Sequence, residues 1–184
     1  MKNNHLGRAA KAVTTGILCV LFSSMSFAQT PTYKDMVVDN PNAEADMKVI
    51  ADFSKAINAG DANKMKSLLS DKAMMYGPSP VDSSTGEKYV QAWIEGGFKT
   101  STDRKANFIQ QTFKVTQGNL AGNWVSQWGD YSFTQDGKTV KFPFHTISHI
   151  ADGKIVSSRI YYDNQYILTQ LGFKLTPPDA TAKK

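Results

Sequence analysis

Met47, Ile50, Phe53 and Ile57 recur at three- and four-residue steps from Glu44 onward, a spacing that gathers them on one face of a helix ending at Gly60. Asp61 is placed to cap a second, short helix with Met65, Leu68 and Leu69 along one side, because its carboxylate accepts the free N–H groups of a first turn; Ser70-Asp71 ends it. Residues 73–76 read as a short strand. Gly77-Pro78-Ser79-Pro80 must then be a loop, since two prolines interrupt either backbone ladder. Ser84 and Glu87 have capping-box spacing and open a third helix, which carries Tyr89, Val90, Trp93 and Ile94 and stops at Gly96-Gly97. Past a polar loop at 100–105 the segments become long and β-rich. Residues 106–117, 123–134, 139–150 and 155–162 read as strands, and helices followed by strands predict an α+β domain. Asp163 and Gly172 bracket a last short helix over 164–171. Residues 29–43 read as an extended lead-in, and residues 174–184, with Pro177-Pro178 and Lys183-Lys184, as a disordered tail.

Two strand connections share the pattern x-Asp-Gly-Lys, at 135–138 and 151–154. Three-residue hairpin loops there would set residue 134 opposite 138 and 150 opposite 154. Side chains alternate along a strand, so one face then collects the even positions: Trp124, Ser126, Trp128, Asp130, Phe142, Phe144, Thr146, Ser148, Val156, Ser158, Ile160 and Tyr162. The odd face holds Gln127, Tyr131, Lys141, His145, His149, Arg159, Tyr161 and Asp163. It is the more charged set, so the even face is expected to turn toward the helices. A bulge would exchange the faces beyond it.

Charge changes the picture only until it is located. The chain has 184 residues, 21 Lys+Arg against 16 Asp+Glu, and a formal charge of +5. Lys2, Arg8 and Lys11 all precede the first acidic residue, Asp35, and are followed by an apolar run over 12–22 and the small residues of Ser26-Phe27-Ala28. That order reads as a secretory signal peptide over 1–28, with an apolar run too short to span a bilayer. Removing it leaves 156 residues and a charge of +2, with no basic stripe to engage nucleic acid. The only cysteine, Cys19, leaves with it, so neither a disulfide nor a thiolate-bound metal is expected. Leu18 before Cys19 does not fit a lipoprotein site. The expectation is an exported protein, in the periplasm or outside the cell, with no membrane partner after processing.

Ala59-Gly60-Asp61 between two helices, Gly86 opening the third, Asp152-Gly153-Lys154-Ile155, and residues 159–163 followed by Gln170-Leu171-Gly172 resemble the nuclear transport factor 2-like superfamily. The nearest likeness is to its SnoaL-like polyketide cyclase branch, over residues 44–173. This resemblance implies a cone-shaped, cystatin-like fold: a curved antiparallel sheet around helices, a mostly apolar pocket inside, and homodimers joined through the outer sheet face. Cyclases of that branch carry a histidine and an aspartate on the last two strands, and the matching positions here are Thr146 and Ile160. The aspartate base, tyrosine and protonated aspartic acid of delta-5-3-ketosteroid isomerases fall at Gly77, Phe53 and Thr146. The resemblance therefore implies a pocket without that acid–base chemistry.

The remaining catalytic candidates are Asp130, as the inner carboxylate, and Tyr162. Phe53, Tyr76, Trp93, Trp128, Phe144, Ile160 and Tyr162 are expected pocket walls, with Thr146, Ser148 and Ser158 as polar groups. His145, His149, Arg159 and Asp163 share the outer face, where His145 is expected opposite Arg159. The two histidines lie about 13 Å apart along a strand, too far for one ion, so no metal or cofactor is expected. Three readings stay open: a binder of a small, mostly hydrophobic molecule; an isomerase, cyclase or dehydratase-like enzyme using Asp130 or Tyr162; and a dimerising interaction module whose cone is packed shut.

Overall fold

In the computed structural model the described residues are 31–174 and 176; the expected signal peptide at 1–28 and most of the expected tail lie outside them. The chain enters through α1 (Tyr33–Met36) and β1 (Val37–Val38), so the lead-in is not simply extended: Val37 and Val38 pair with Val115 and Lys114. Helix α2 (Ala43–Ala59) buries Ile50, Phe53 and Ala56 at three-residue steps. Each large apolar side chain so covered contributes roughly 1.5–3 kcal/mol. Helix α3 (Ala62–Leu68) starts where Asp61 accepts from the Lys64 amide at 2.8 Å, and buries Met65 and Leu68.

Leu69 does not extend that helix. It begins β2 (Leu69–Tyr76), which is longer than the period suggested because it runs parallel to the last strand. Strand β3 (Ser83–Thr85) folds back on β2 with Ser84 opposite Met75. Ser84 is therefore held in a strand, and the cap of α4 (Gly86–Ala92) is Thr85, whose hydroxyl accepts from the Lys88 amide. Nor does the helix stop at Gly96-Gly97. It widens into a π-helical turn (Trp93–Gly97) and tightens again as α5 (Phe98–Thr100). Gly97 permits this because its missing side chain leaves room for the Trp93 indole.

Four strands follow: β4 (Thr102–Val115), β5 (Gly122–Gln135), β6 (Lys138–Ala151) and β7 (Lys154–Tyr161). Helix α6 (Asn164–Leu171) closes the described chain, with Asp163 accepting from the Tyr166 amide at 2.8 Å and Gly172 left-handed beyond its end. The sheet has seven strands in the order β1-β4-β5-β6-β7-β2-β3, giving the α+β architecture expected.

The turns are tighter than expected. Gln135 pairs with Lys138 and Ala151 with Lys154, so each loop holds two residues, not three. Asp136 and Gly137 have φ of 51° and 74°, and Asp152 and Gly153 of 50° and 67°. Positive φ at both central positions is the type I′ turn, whose twist matches the flanking strands and which favours Asp-Gly. With one loop residue fewer, odd positions of β5 share a face with even positions of β6: Gln127 faces Thr146 and Tyr131 faces Phe142. The expected faces of β5 are thus reversed. On β7 they hold, because Ile150 pairs with Ile155 but His149 pairs with Ser157, leaving Val156 as an extra bulged residue that offsets the shorter loop.

Candidate functional site

Helices α2 and α4 with the π-turn lie against the inner sheet face, and between them opens a cavity of about 440 Å³. Phe53, Tyr76, Trp93, Phe144, Thr146, Ser148, Ser158, Ile160 and Tyr162 line it. Trp128 and Asp130 do not, because both follow the reversed parity of β5 to the outer face. Trp128 is 37% exposed there. Asp130 pairs with Lys141 at 2.9 Å, both side chains reaching solvent. Neither is a wall or proton carrier of this cavity.

In their place the odd positions of β5 supply Gln127, Tyr131 and Phe133, and α4 adds Tyr89. Sequence reasoning missed Gln127, Tyr131 and Phe133 although their signal was present: Asp-Gly between alternating strands favours the two-residue turn that sends them inward.

No Asp, Glu, Lys, Arg or His lines the cavity among the described residues. Its polar side chains are amides and hydroxyls, several already paired. Gln127, 2% exposed, donates to Ser54 Oγ at 2.9 Å and accepts from Gln110 Nε2 at 3.0 Å. Ser148 and Ser158 share a hydrogen bond at 2.8 Å. By contrast, Tyr131 Oη and Thr146 Oγ1 are buried and have no hydrogen-bond partner among the described residues.

Burial pushes the Tyr89, Tyr131 and Tyr162 hydroxyls above the ordinary tyrosine range. The Trp93 side chain opposes the effect of burial at Tyr89, the Arg104 charge opposes it at Tyr131, and Asp82 reinforces it at Tyr162. All three therefore keep their protons near pH 7. Arg104 itself is engaged elsewhere. Its guanidinium donates to the carbonyls of Ile57, Gly97 and Ser101 and lies 5.1 Å from the Phe98 ring centre, holding the ends of α2 and the π-turn at the rim.

Outside, Ile109, Trp128, His145 and Tyr161 form one cross-strand row. His145 faces Tyr161, not Arg159, and its Nε2 lies 2.7 Å from Ser126 Oγ. Arg159 sits 4.6 Å from the Tyr76 ring centre and donates to the Gly77 carbonyl. His149 stacks on Trp124 with ring centres 5.0 Å apart, and burial pushes its pKa down. Among the described residues no three His, Cys, Asp or Glu side chains gather to hold a metal ion.

The model of the SnoaL-like domain matches residues 50–158, more than half of the chain. The chain belongs to the SnoaL-like domain family. This SnoaL-like domain is also similar to solved structures. IdmH of Streptomyces antibioticus, described as a polyketide cyclase, is 20% identical with a TM-score of 0.54, the match covering 70% of this chain and 99% of that one. Another protein described as a polyketide cyclase, from Xanthomonas campestris pv. campestris, is 14% identical with a TM-score of 0.57, over 71% and 98%. An LEH-like epoxide hydrolase of M. tuberculosis is 14% identical with a TM-score of 0.52, over 72% and 89%. At these identities the likeness establishes the fold. No curated protein matches.

Proposed function

We propose that this SnoaL-like domain is exported and binds a small, neutral, mostly hydrophobic molecule in its cavity, without the proton transfer of a cyclase. One observation carries the reading: among the described residues the cavity is lined by aromatic, aliphatic, amide and hydroxyl groups and by no ionisable acid or base that changes charge near neutral pH. Proton abstraction is most efficient with a base whose pKa lies near the working pH, and requires one that is unprotonated there. Thr146 and Ile160, on the inner face where the family resemblance places a histidine and an aspartate, cannot supply one, and Asp130 is outside. Tyr162 reaches the cavity, but with its pKa raised it holds its proton. The volume of about 440 Å³ supports binding over a module whose cone is packed shut.

Export rests on the order of basic, apolar and small residues over 1–28. The outer row of Ile109, Trp128 and Tyr161, exposed by 60%, 37% and 47%, is the face we assign to a second copy of the chain. Native mass spectrometry of protein purified from its own host tests the central reading. A non-covalent adduct that disappears on denaturation is expected. A bare chain, together with an unchanged host phenotype for Thr146→Ala, would remove it.

A further inference from the structure

Helix α6 is the last element of the described chain, and among its residues only Ile167 is buried. Leu171, one turn on, is half-buried, while Tyr166 and Leu168 are exposed. Ile167 packs with Val140, Phe142 and Phe144 of β6, in a cluster separate from the larger core around Ile50, Met65 and Ala73. The cavity lies between these clusters, bounded by Ile50, Phe53 and Met75 from one and by Phe142, Phe144 and Ile167 from the other. Lifting α6 therefore removes a wall of the cavity and leaves the larger core in place. Asn164 is exposed and yet lines the cavity, so the cavity reaches the surface beside the first turn of this helix. The attachments of α6 are few. Residues 162–163 tether it to the end of β7, Asp163 caps its first turn, and at its far end the Lys138 ammonium donates to the Leu171 carbonyl at 2.6 Å. So short a helix is not stable alone in water, so its docking decides whether it stays formed and closed. Segments that bury few apolar groups open at a much smaller free energy than the whole domain.

We infer that α6 is a hinged lid, which swings about residues 162–163, opens without unfolding the rest of the domain and so admits a molecule to the cavity, with Ile167 as the side chain that seats it. The opening stands on the packing of α6 itself, whereas the admission of a molecule rests on the binding function proposed above.

Amide hydrogen exchange of the purified protein tests the opening without any ligand. The α6 amides from Ile167 to Leu171 should exchange at least roughly 100-fold faster than those of β5 and β6, and urea below the unfolding transition should barely change their rate, because a local opening exposes little surface. Exchange of α6 at the rate of the central strands, with the same steep dependence on urea, would overturn the lid. Stopped-flow fluorescence with N-phenyl-1-naphthylamine, a neutral apolar probe, tests the admission. Asp163→Ala removes the cap of α6 and Lys138→Ala frees its far end, and neither residue lines the cavity. Each substitution favours the open lid equally with and without probe, so association and dissociation should both quicken about 2- to 10-fold while Kd stays within about twofold. Rates unchanged in both variants would mean that the probe enters elsewhere, and faster dissociation alone with a weaker Kd would mean an ordinary loss of binding; either overturns the admission and leaves the binding reading standing. Failure of the probe to bind up to its solubility limit would overturn the binding reading and the admission with it, while the exchange rates still decide whether α6 opens.

Discussion

Trp93 lies across Gly97 so closely that a Cβ at position 97 would come within 2.5 Å of the indole Cε3. The contact joins a cavity wall to the π-turn that shapes the rim, so a methyl group there must displace the ring. Gly97→Ala is expected to destabilise the protein by about 1–2 kcal/mol, the overpacking exceeding the roughly 1 kcal/mol by which alanine favours a helix. Thermal denaturation gives the magnitude, and a shifted Trp93 emission would locate the cause. An unchanged spectrum and midpoint would mean that the ring has room to move.

Tyr89, Tyr131 and Tyr162 are all held above the ordinary tyrosine value, burial being the leading cause. Above about pH 10 the unfolded chain has lost these protons while the native chain keeps them. Unfolding then releases protons, so stability falls as pH rises through this range; below it these three groups add no pH dependence. Urea midpoints measured across the alkaline range should show the decline, and Tyr131→Phe should make it shallower. Ligand affinity should be flat around neutrality, because no group lining the cavity among the described residues changes charge there.

Asp46 is buried at the start of α2, where one carboxylate oxygen accepts from Asn40 at 2.8 Å and Asn123 at 2.9 Å. It ties the lead-in, the helix and β5 together. Asp46→Ala removes the acceptor of the Asn123 amide and one of the two acceptors of the Asn40 amide, which keeps Thr112 Oγ1, and should cost about 2–4 kcal/mol, read from urea denaturation. A loss below 1 kcal/mol, roughly the value of one ordinary hydrogen bond, would mean that water replaces the carboxylate.

Asp130→Asn removes an ion pair with Lys141 that solvent already screens, so stability should change by less than about 0.5 kcal/mol. Retention of any cavity-bound molecule should be unaffected. Loss of that molecule in Asp130→Asn would place the carboxylate in the binding machinery after all.

Trp128→Glu puts a charge in the centre of the exposed outer row and should convert a dimer to monomer in sedimentation velocity. A monomer for the unaltered protein at micromolar concentration would refute the assignment of this face to a second copy.

The amphipathic period of α2, the Asp61 and Asp163 caps and the four long strands were legible because each depends on residues close in sequence. Thr85 displaced Ser84 as a cap because β3 holds Ser84 opposite Met75, a pairing that no local signal announces. The site was legible unevenly. Thr146, Ser148, Ser158 and Ile160 line the cavity as the count predicted, whereas Trp128 and Asp130 do not. One loop residue decided the difference: the count assumed three residues in each hairpin, and Asp-Gly makes a two-residue turn. At the next hairpin the loop is equally short, and the bulge at Val156 restores the parity.

That bulge behaves like a compensating frameshift written into the backbone. Were Val156 instead to pair with His149 in an unbroken ladder, every later residue of β7 would shift by one step along β6, setting Arg159 opposite Thr146. Arg159 and Tyr161 would then point into the cavity, and Ser158, Ile160 and Tyr162 out of it. The most regular form of this strand is therefore the one that would put a guanidinium inside a chamber that now holds no charge. Irregular pairing at one residue is what keeps the interior neutral.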